Sequence, residues 1–130
     1  MFDHDLLRLK QAQDLEERHG LVLAGDYYVA ALIYHHASDA DHHREKAYEL
    51  AVKAYERRPE IHVYKTLVAM AYDRLLRSHA CSQYFGTQFV MVDGSRPQLE
   101  PVQQEASDED RLYFEVPPLA EQRKVIENVR

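Results

Sequence analysis

Asp73 and Arg74 place a carboxylate and a guanidinium side by side on a stretch whose neighbours Met70, Ala71 and Leu75 are apolar. Charged groups beside a core are costly unless they are paired or hydrogen-bonded. The pair therefore has two readings: an orienting carboxylate next to an anion-binding guanidinium, or a structural ion pair that ties its helix to the chain beyond. Shortly afterwards comes Gln83-Tyr84-Phe85-Gly86-Thr87-Gln88. Its glycine lets the backbone approach a partner closely or take a positive φ, while threonine and glutamine bring both donors and acceptors. Such a loop can present these groups to a small polar ligand or a peptide segment. It can equally cap the end of the preceding helix and anchor the segment that follows.

Histidine is the other chemically versatile residue in quantity. Of eight, four crowd one junction: His35, His36, His42 and His43. Adjacent residues on a helix diverge by about 100°, whereas two metal ligands on one helix want i and i+4 spacing. With no His-Glu-x-x-His and no paired cysteines, no metal is expected, and His42 and His43 read as a solvated face. His36 differs because it ends an apolar helix. An imidazole there titrates near neutrality and can act as acid or base. If it meets Asp73 across the helices, the two can orient a general base; the alternative is a satisfied core histidine. The sequence holds no Walker loop, Rossmann glycine pattern, Gly-x-Ser-x-Gly elbow or haem signature, so no cofactor is expected. Tyrosines 27, 28, 34, 48, 55, 64 and 72 fall at helical spacing, and amphipathic packing accounts for them before any cofactor cage does.

The elements that must position these groups are mostly helical. Leucines at 6, 7, 9 and 15 predict an amphipathic helix over 5–19, ended by Gly20. Asp26 is the expected N-cap of a second helix reaching Ala37, and Ser38 or Asp39 of a third that stops before Pro59. The fourth runs over 61–79 with Val63, Leu67, Met70, Ala71 and Leu75 as its buried stripe. Four antiparallel helices with short connections are the simplest packing of this pattern. The rhythm of 45–78 is like one tetratricopeptide unit, but no second copy follows, so a solenoid is not expected.

Beyond residue 80 the periodicity changes. Phe89 to Val92 reads as a strand, Asp93-Gly94 as a two-residue hairpin turn, and 96–102 as a return strand confined to an edge by Pro97 and Pro101. Ser107 can cap a short helix through Phe114, and a last helix is expected over 119–129. One domain results: a helical bundle over 1–80, the loop and hairpin over 81–104 and a helical tail over 105–130.

Composition narrows the partners. The formal charge is −6, and the sixteen lysines and arginines are dispersed rather than gathered in a stripe. Phosphate backbones and anionic lipid surfaces reward clustered positive charge, so neither nucleic acid nor membrane is an expected partner. The mixed charges of residues 1–20 suit neither a signal nor a transit peptide. One cysteine, Cys81, permits no internal disulfide. A cytoplasmic location follows as the expectation. A homodimer is open, since amphipathic helices pair, although no heptad seam specifies one.

The segments YHHASD, KAYELAVKAYE, AYDRLL, QYFGTQF and SDEDRLYFEVPPLAE, in that order, resemble successive blocks of an uncharacterised, domain-of-unknown-function family of small, mostly bacterial proteins. That family carries an Asp-Arg pair on a helix, a Pro-Gln-aromatic-Gly-Thr-Gln signature, an acidic Asp-Glu-x-Arg stretch and a Val-Pro-Pro-Leu tail. The matching positions here are His36, Asp73, Arg74, Gln83, Gly86, Thr87, Gln88, Arg111 and the run Pro117-Pro118-Leu119. Ser82 stands where the signature has proline, and His35 where glutamine is common. The resemblance implies no particular reaction. It selects His36, Asp73, Arg74, Gln83, Thr87, Gln88 and Arg111 as the lining of one pocket beneath the Gly-Thr-Gln loop. Two roles fit such a pocket. One is a binding or accessory module that holds a polar small molecule or peptide segment with Arg74 and the loop. The other is a cofactor-independent acid/base enzyme of lyase, cyclase or hydrolase type. In it, His36 would be the base, Asp73 its orienting group, and Arg74 and Gln88 the stabilisers of negative charge.

Overall fold

The computed structural model describes residues 7, 8, 10, 11, 13, 23–36, 41–94 and 96–128. The first expected helix, over 5–19, lies largely outside them, as does the expected Ser38/Asp39 cap. The described chain is mainly α: α1 (Ala24–His36), α2 (Asp41–Arg57), α3 (His62–Ser78), β1 (Phe89–Val92), β2 (Arg96–Leu99), α4 (Asp108–Tyr113) and α5 (Leu119–Glu127).

Packing of α1 on α2 and of α2 on α3 makes the main core. Ala30, Ala31, Ala47 and Ala51 let the helix axes approach, and Leu50, Leu67, Val68 and Tyr34 fill the space between them. Each fully buried leucine contributes about 1.5–3 kcal/mol, so apolar burial is the main support of this seam. Asp26 is not the N-cap that its sequence position suggests. The helix begins at Ala24, and the Asp26 carboxylate reaches back from the first turn to accept a hydrogen bond from the Leu23 backbone N–H at 3.0 Å. That reach answers the same need, an unpaired donor at the helix start.

α3 departs from a single buried stripe. Val63 is 53% exposed, whereas Tyr64, Leu67, Val68, Ala69, Ala71 and Asp73 are buried. The reason is that α3 is covered on two sides. Tyr64 packs its ring on Tyr28 of α1, while Ala69 belongs to a second core with Phe85 and Val116, flanked by Tyr72, Tyr84 and Phe114. The chain after residue 80 thus folds back onto α3 and gives its polar positions somewhere to go.

The hairpin forms as expected but with a different turn. Phe89 pairs with Leu99 and Val92 with Arg96, which leaves three residues in the connection rather than two. Asp93 and Gly94 both take positive φ, 54° and 75°. β2 ends at Leu99, short of the expected residue 102. Past it, Val102 instead bridges in parallel to Gln83, so the return strand turns from its hairpin partner to the loop. Ser107 caps α4 as expected, accepting from the Asp110 N–H at 3.1 Å. α5 is shorter by two residues than the sequence suggests, and it buries no residue fully.

Candidate functional site

The loop over 83–88 is built from inside by three buried polar side chains, and each acts on the backbone. Asp73, on α3, has no exposed surface. One carboxylate oxygen accepts from the N–H groups of Tyr84 and Phe85 at 2.8 and 2.9 Å. The other accepts from the Thr87 N–H at 2.9 Å and its hydroxyl at 2.7 Å. Four donors saturate the carboxylate, and charge-assisted bonds of this kind are about twice as strong as neutral ones. A loop whose successive N–H groups point inward needs such an acceptor, because buried donors left unpaired are expensive.

Gln83, equally buried, closes the loop on itself. Its amide nitrogen donates to the backbone carbonyls of Gln88 at 2.8 Å and Glu100 at 2.9 Å, while its oxygen accepts from the Gln88 N–H at 2.8 Å. The side-chain amide thereby pairs with residue 88 in both directions, as a neighbouring strand would. The main chain of Gln83 is fixed as well, by Pro101 and Gln103 at 2.9 and 2.8 Å.

Arg111, 2% exposed, reaches in from α4. Its Nε donates to the Phe85 carbonyl at 3.0 Å and one terminal nitrogen to Asp108 at 2.8 Å. Asp108 also accepts from the Leu119 N–H at 3.0 Å. That backbone bond first, and Arg111 second, lower the Asp108 pKa. Gln122 of α5 adds a second donor to the Phe85 carbonyl at 3.1 Å and bonds Pro117 at 2.9 Å. Gly86 turns this corner at φ +87°, where a Cβ would lie 3.2 Å from Leu119 and 3.3 Å from Gln122. Only glycine suits both the conformation and the space.

Of the residues selected from the sequence, Asp73, Gln83, Gly86, Thr87 and Arg111 come together at the loop: Asp73 meets Thr87 directly, while Gln83 and Arg111 bond the loop backbone. Gln88 takes part mainly through its main chain; its side chain donates to the Thr87 hydroxyl at 3.2 Å. Arg74 diverges from Asp73, as adjacent helical residues do. Its guanidinium donates to the His35 carbonyl, satisfying a helix-end acceptor of α1. His36 stands apart: it is exposed, its ring lies against that of His35, and it borders a cleft with Leu32 and Ile33. No hydrogen bond or ring contact joins it to Asp73 among the described residues. The pairing of His36 with Asp73 on which the acid/base reading depends is absent there because Asp73 faces the loop, and the exposure of His36 equally sets aside a satisfied core histidine.

One histidine assignment changes, that of His43, while His42 is exposed as expected. His35 is buried, and its pKa falls to about 4, first through loss of solvent and then through the positive charge of Arg74 and the neighbouring His36. His43 is also buried rather than solvated, with Tyr34 as a ring neighbour; burial and then His42 lower its pKa. Asp108 and Gln122 were not singled out from the sequence. For Asp108 a signal existed, since it precedes Arg111 by three residues on a helix. For Gln122 there was none, because its role depends on the tail returning to the loop.

Two clefts border the loop. The Tyr84–Phe85 arm borders a cavity of about 360 Å³ shared with Tyr48, Tyr72, Phe114 and Asp110. The Gly86–Thr87 arm borders one of about 280 Å³ with Phe89, Gln122 and Val125. Among the described residues no group of three or more His, Cys, Asp or Glu side chains is placed to hold a metal ion, and no helix is long and apolar enough to cross a membrane. No family model matches the chain, and no curated protein or solved structure is significantly similar to it.

Proposed function

We propose that this protein is a small binding or accessory module of the cytoplasm, which holds a polar small molecule or a peptide side chain against the walls of the 83–88 loop. The observation that carries this reading is the saturation of Asp73, whose four hydrogen bonds all go to the loop. A carboxylate spent in this way fixes shape, and preorganised surfaces bind at lower entropic cost than mobile ones. The loop is then a stiff wall that borders two ligand-sized clefts.

The acid/base alternative has less support. A general base and its orienting group must lie within hydrogen-bond reach, and Asp73 spends its oxygens elsewhere while His36 lies at the exposed end of α1. Native mass spectrometry of freshly purified protein, followed by a thermal-shift screen of small polar molecules and peptides, tests the proposal. The expected result is a ligand that raises the melting temperature and shifts the amide resonances of Tyr84 to Thr87. Binding confined to surfaces remote from the loop, or no binding by any class of compound, would sink it.

A further inference from the structure

The cleft on the Tyr84–Phe85 side has an unusual lining for a small helical protein. Tyr48 comes from α2, Tyr72 from α3, Tyr84 and Phe85 from the loop, and Phe114 from the end of α4. Most of these rings also pack around the second core centred on Phe85. Tyr72 and Phe85 meet at 70°, Tyr84 and Phe85 at 75°, and Phe85 and Phe114 at 64°, with centroids 6.1, 5.0 and 5.2 Å apart. Tyr48 and Tyr72 lie 5.5 Å apart at 41°. Tilted contacts of this kind are the ordinary packing of aromatic rings, and beside them a cleft of about 360 Å³ stays open.

Among the described residues, the charge that lines this space is negative. Its only charged lining residue among the described ones is Asp110, whose carboxylate accepts a hydrogen bond from the Tyr84 hydroxyl at 2.5 Å. Arg111, next in sequence, directs its guanidinium to the carbonyls of Phe85 and Tyr84 and to Asp108. Among the described residues no lysine or arginine lines the cleft. Aromatic faces carry a negative quadrupole and attract cations, most effectively where water is partly excluded. A carboxylate at the edge adds to the same field, and the chain as a whole carries a formal charge of −6.

We infer that this aromatic cleft is a binding site for an organic ammonium ion, with Tyr48, Tyr72, Tyr84 and Phe114 as the ring walls and Asp110 as the anionic rim. A methylated ammonium suits it best. Such a head cannot be satisfied by hydrogen bonds, so it loses little on leaving water for ring faces, whereas a primary ammonium would lose its donors' partners. The volume of about 360 Å³ exceeds what the head alone fills, so the cation carries a substituent that occupies the rest. The inference rests on the binding-module reading above and deepens it by naming a ligand class. Two sources share this chemistry: a free quaternary ammonium metabolite and the trimethylated lysine of a peptide.

The test is titration followed by amide and aromatic NMR shifts and by calorimetry. The probes are choline, its uncharged isostere 3,3-dimethyl-1-butanol, and a short peptide with and without a trimethyllysine. Choline or the trimethyllysine peptide should bind at least about tenfold more tightly than its uncharged or unmethylated counterpart, as cation–π and rim charge together require. Shifts should appear at Tyr48, Tyr84 and Asp110. Preference for choline assigns the free metabolite as the source, and preference for the peptide assigns the modified side chain. Asp110→Asn keeps the size of the rim group and should weaken binding several-fold with an unchanged melting curve; Tyr48→Leu should weaken it further. Equal affinity for choline and its uncharged isostere, or no shift at the cleft with either cation, overturns the inference. The binding-module reading survives that outcome if the ligand screen finds a compound of another class at the loop, and falls with it if the screen finds none.

Discussion

The α1–α3 seam and the 83–88 loop are held together by opposite means. In the seam, alanines bring the helices close and Leu50, Leu67 and Val68 fill the gap. Its apolar contacts are non-directional, and each can be replaced by a side chain of similar volume, while Arg74 adds a hydrogen bond to the His35 carbonyl. In the loop, Asp73, Gln83 and Arg111 provide directed bonds to identified backbone atoms. There a swap of equal size but different chemistry leaves buried donors or acceptors without partners, and the penalty is larger than the bond's own worth. The seam tolerates change of identity, whereas the loop tolerates almost none. That contrast fits a scaffold carrying a preorganised recognition surface.

The sharpest way to break the contrast is Asp73→Asn. Shape is kept, but an amide NH₂ replaces one oxygen and confronts N–H donors, so destabilisation of about 4 kcal/mol is expected. Urea unfolding at neutral pH measures it, and a loss below about 1 kcal/mol would put the loop on the same footing as the seam.

Next comes a pH effect where the two regions join. His35 belongs to the seam, yet Arg74, the neighbour of Asp73, bonds its carbonyl. Its folded pKa of about 4 lies below the usual 6.5, so the folded protein resists protonation that the unfolded chain accepts. The associated stability is complete above pH 6.5 and is lost as pH falls toward 4, by up to about 3 kcal/mol from 1.36 kcal/mol per unit. Denaturation midpoints across that range should decline less steeply in His35→Gln. An identical slope in the variant would remove His35 as the cause.

Glycine substitutions refine the comparison within one segment of chain. Gly86→Ala meets both a φ of +87° and close contacts, whereas Gly94 at φ +75° has nothing within 4 Å of an added Cβ. The first should cost about 2 kcal/mol and the second about 1, the difference being steric. Equal losses would mean that Leu119 and Gln122 move aside freely. The smallest effect is expected from Leu67→Met in the seam, below about 1.5 kcal/mol by thermal melting.

The sequence disclosed these two regions unequally, for a physical reason. Helical periodicity and small residues are local signals, and they located α1, α2 and α3 to within a few residues; Ser107 was equally local, whereas the Asp93-Gly94 signal gave the place of the hairpin turn but not its three-residue length. The convergence of Asp73, Gln83 and Arg111 was legible only through the order of motifs. Their mode of action was not, because whether a buried carboxylate faces a cavity or a loop's N–H groups depends on how the distant chain returns. Gln122 shows the limit: nothing around it marks a donor for the Phe85 carbonyl, 37 residues away. Val63 shows the same effect in reverse, since periodicity placed it inside while α3, covered on two sides, turns it out.

Native-state hydrogen exchange of the Tyr84, Phe85 and Thr87 amides tests the central claim most directly, because these N–H groups are the ones Asp73 holds. If the loop is a fixed wall, they exchange only through global unfolding, with protection matching that of Leu67 and Val68 in the seam. Exchange as fast as that of Gly94 at the hairpin turn would show a loop that opens on its own, and would contradict the account.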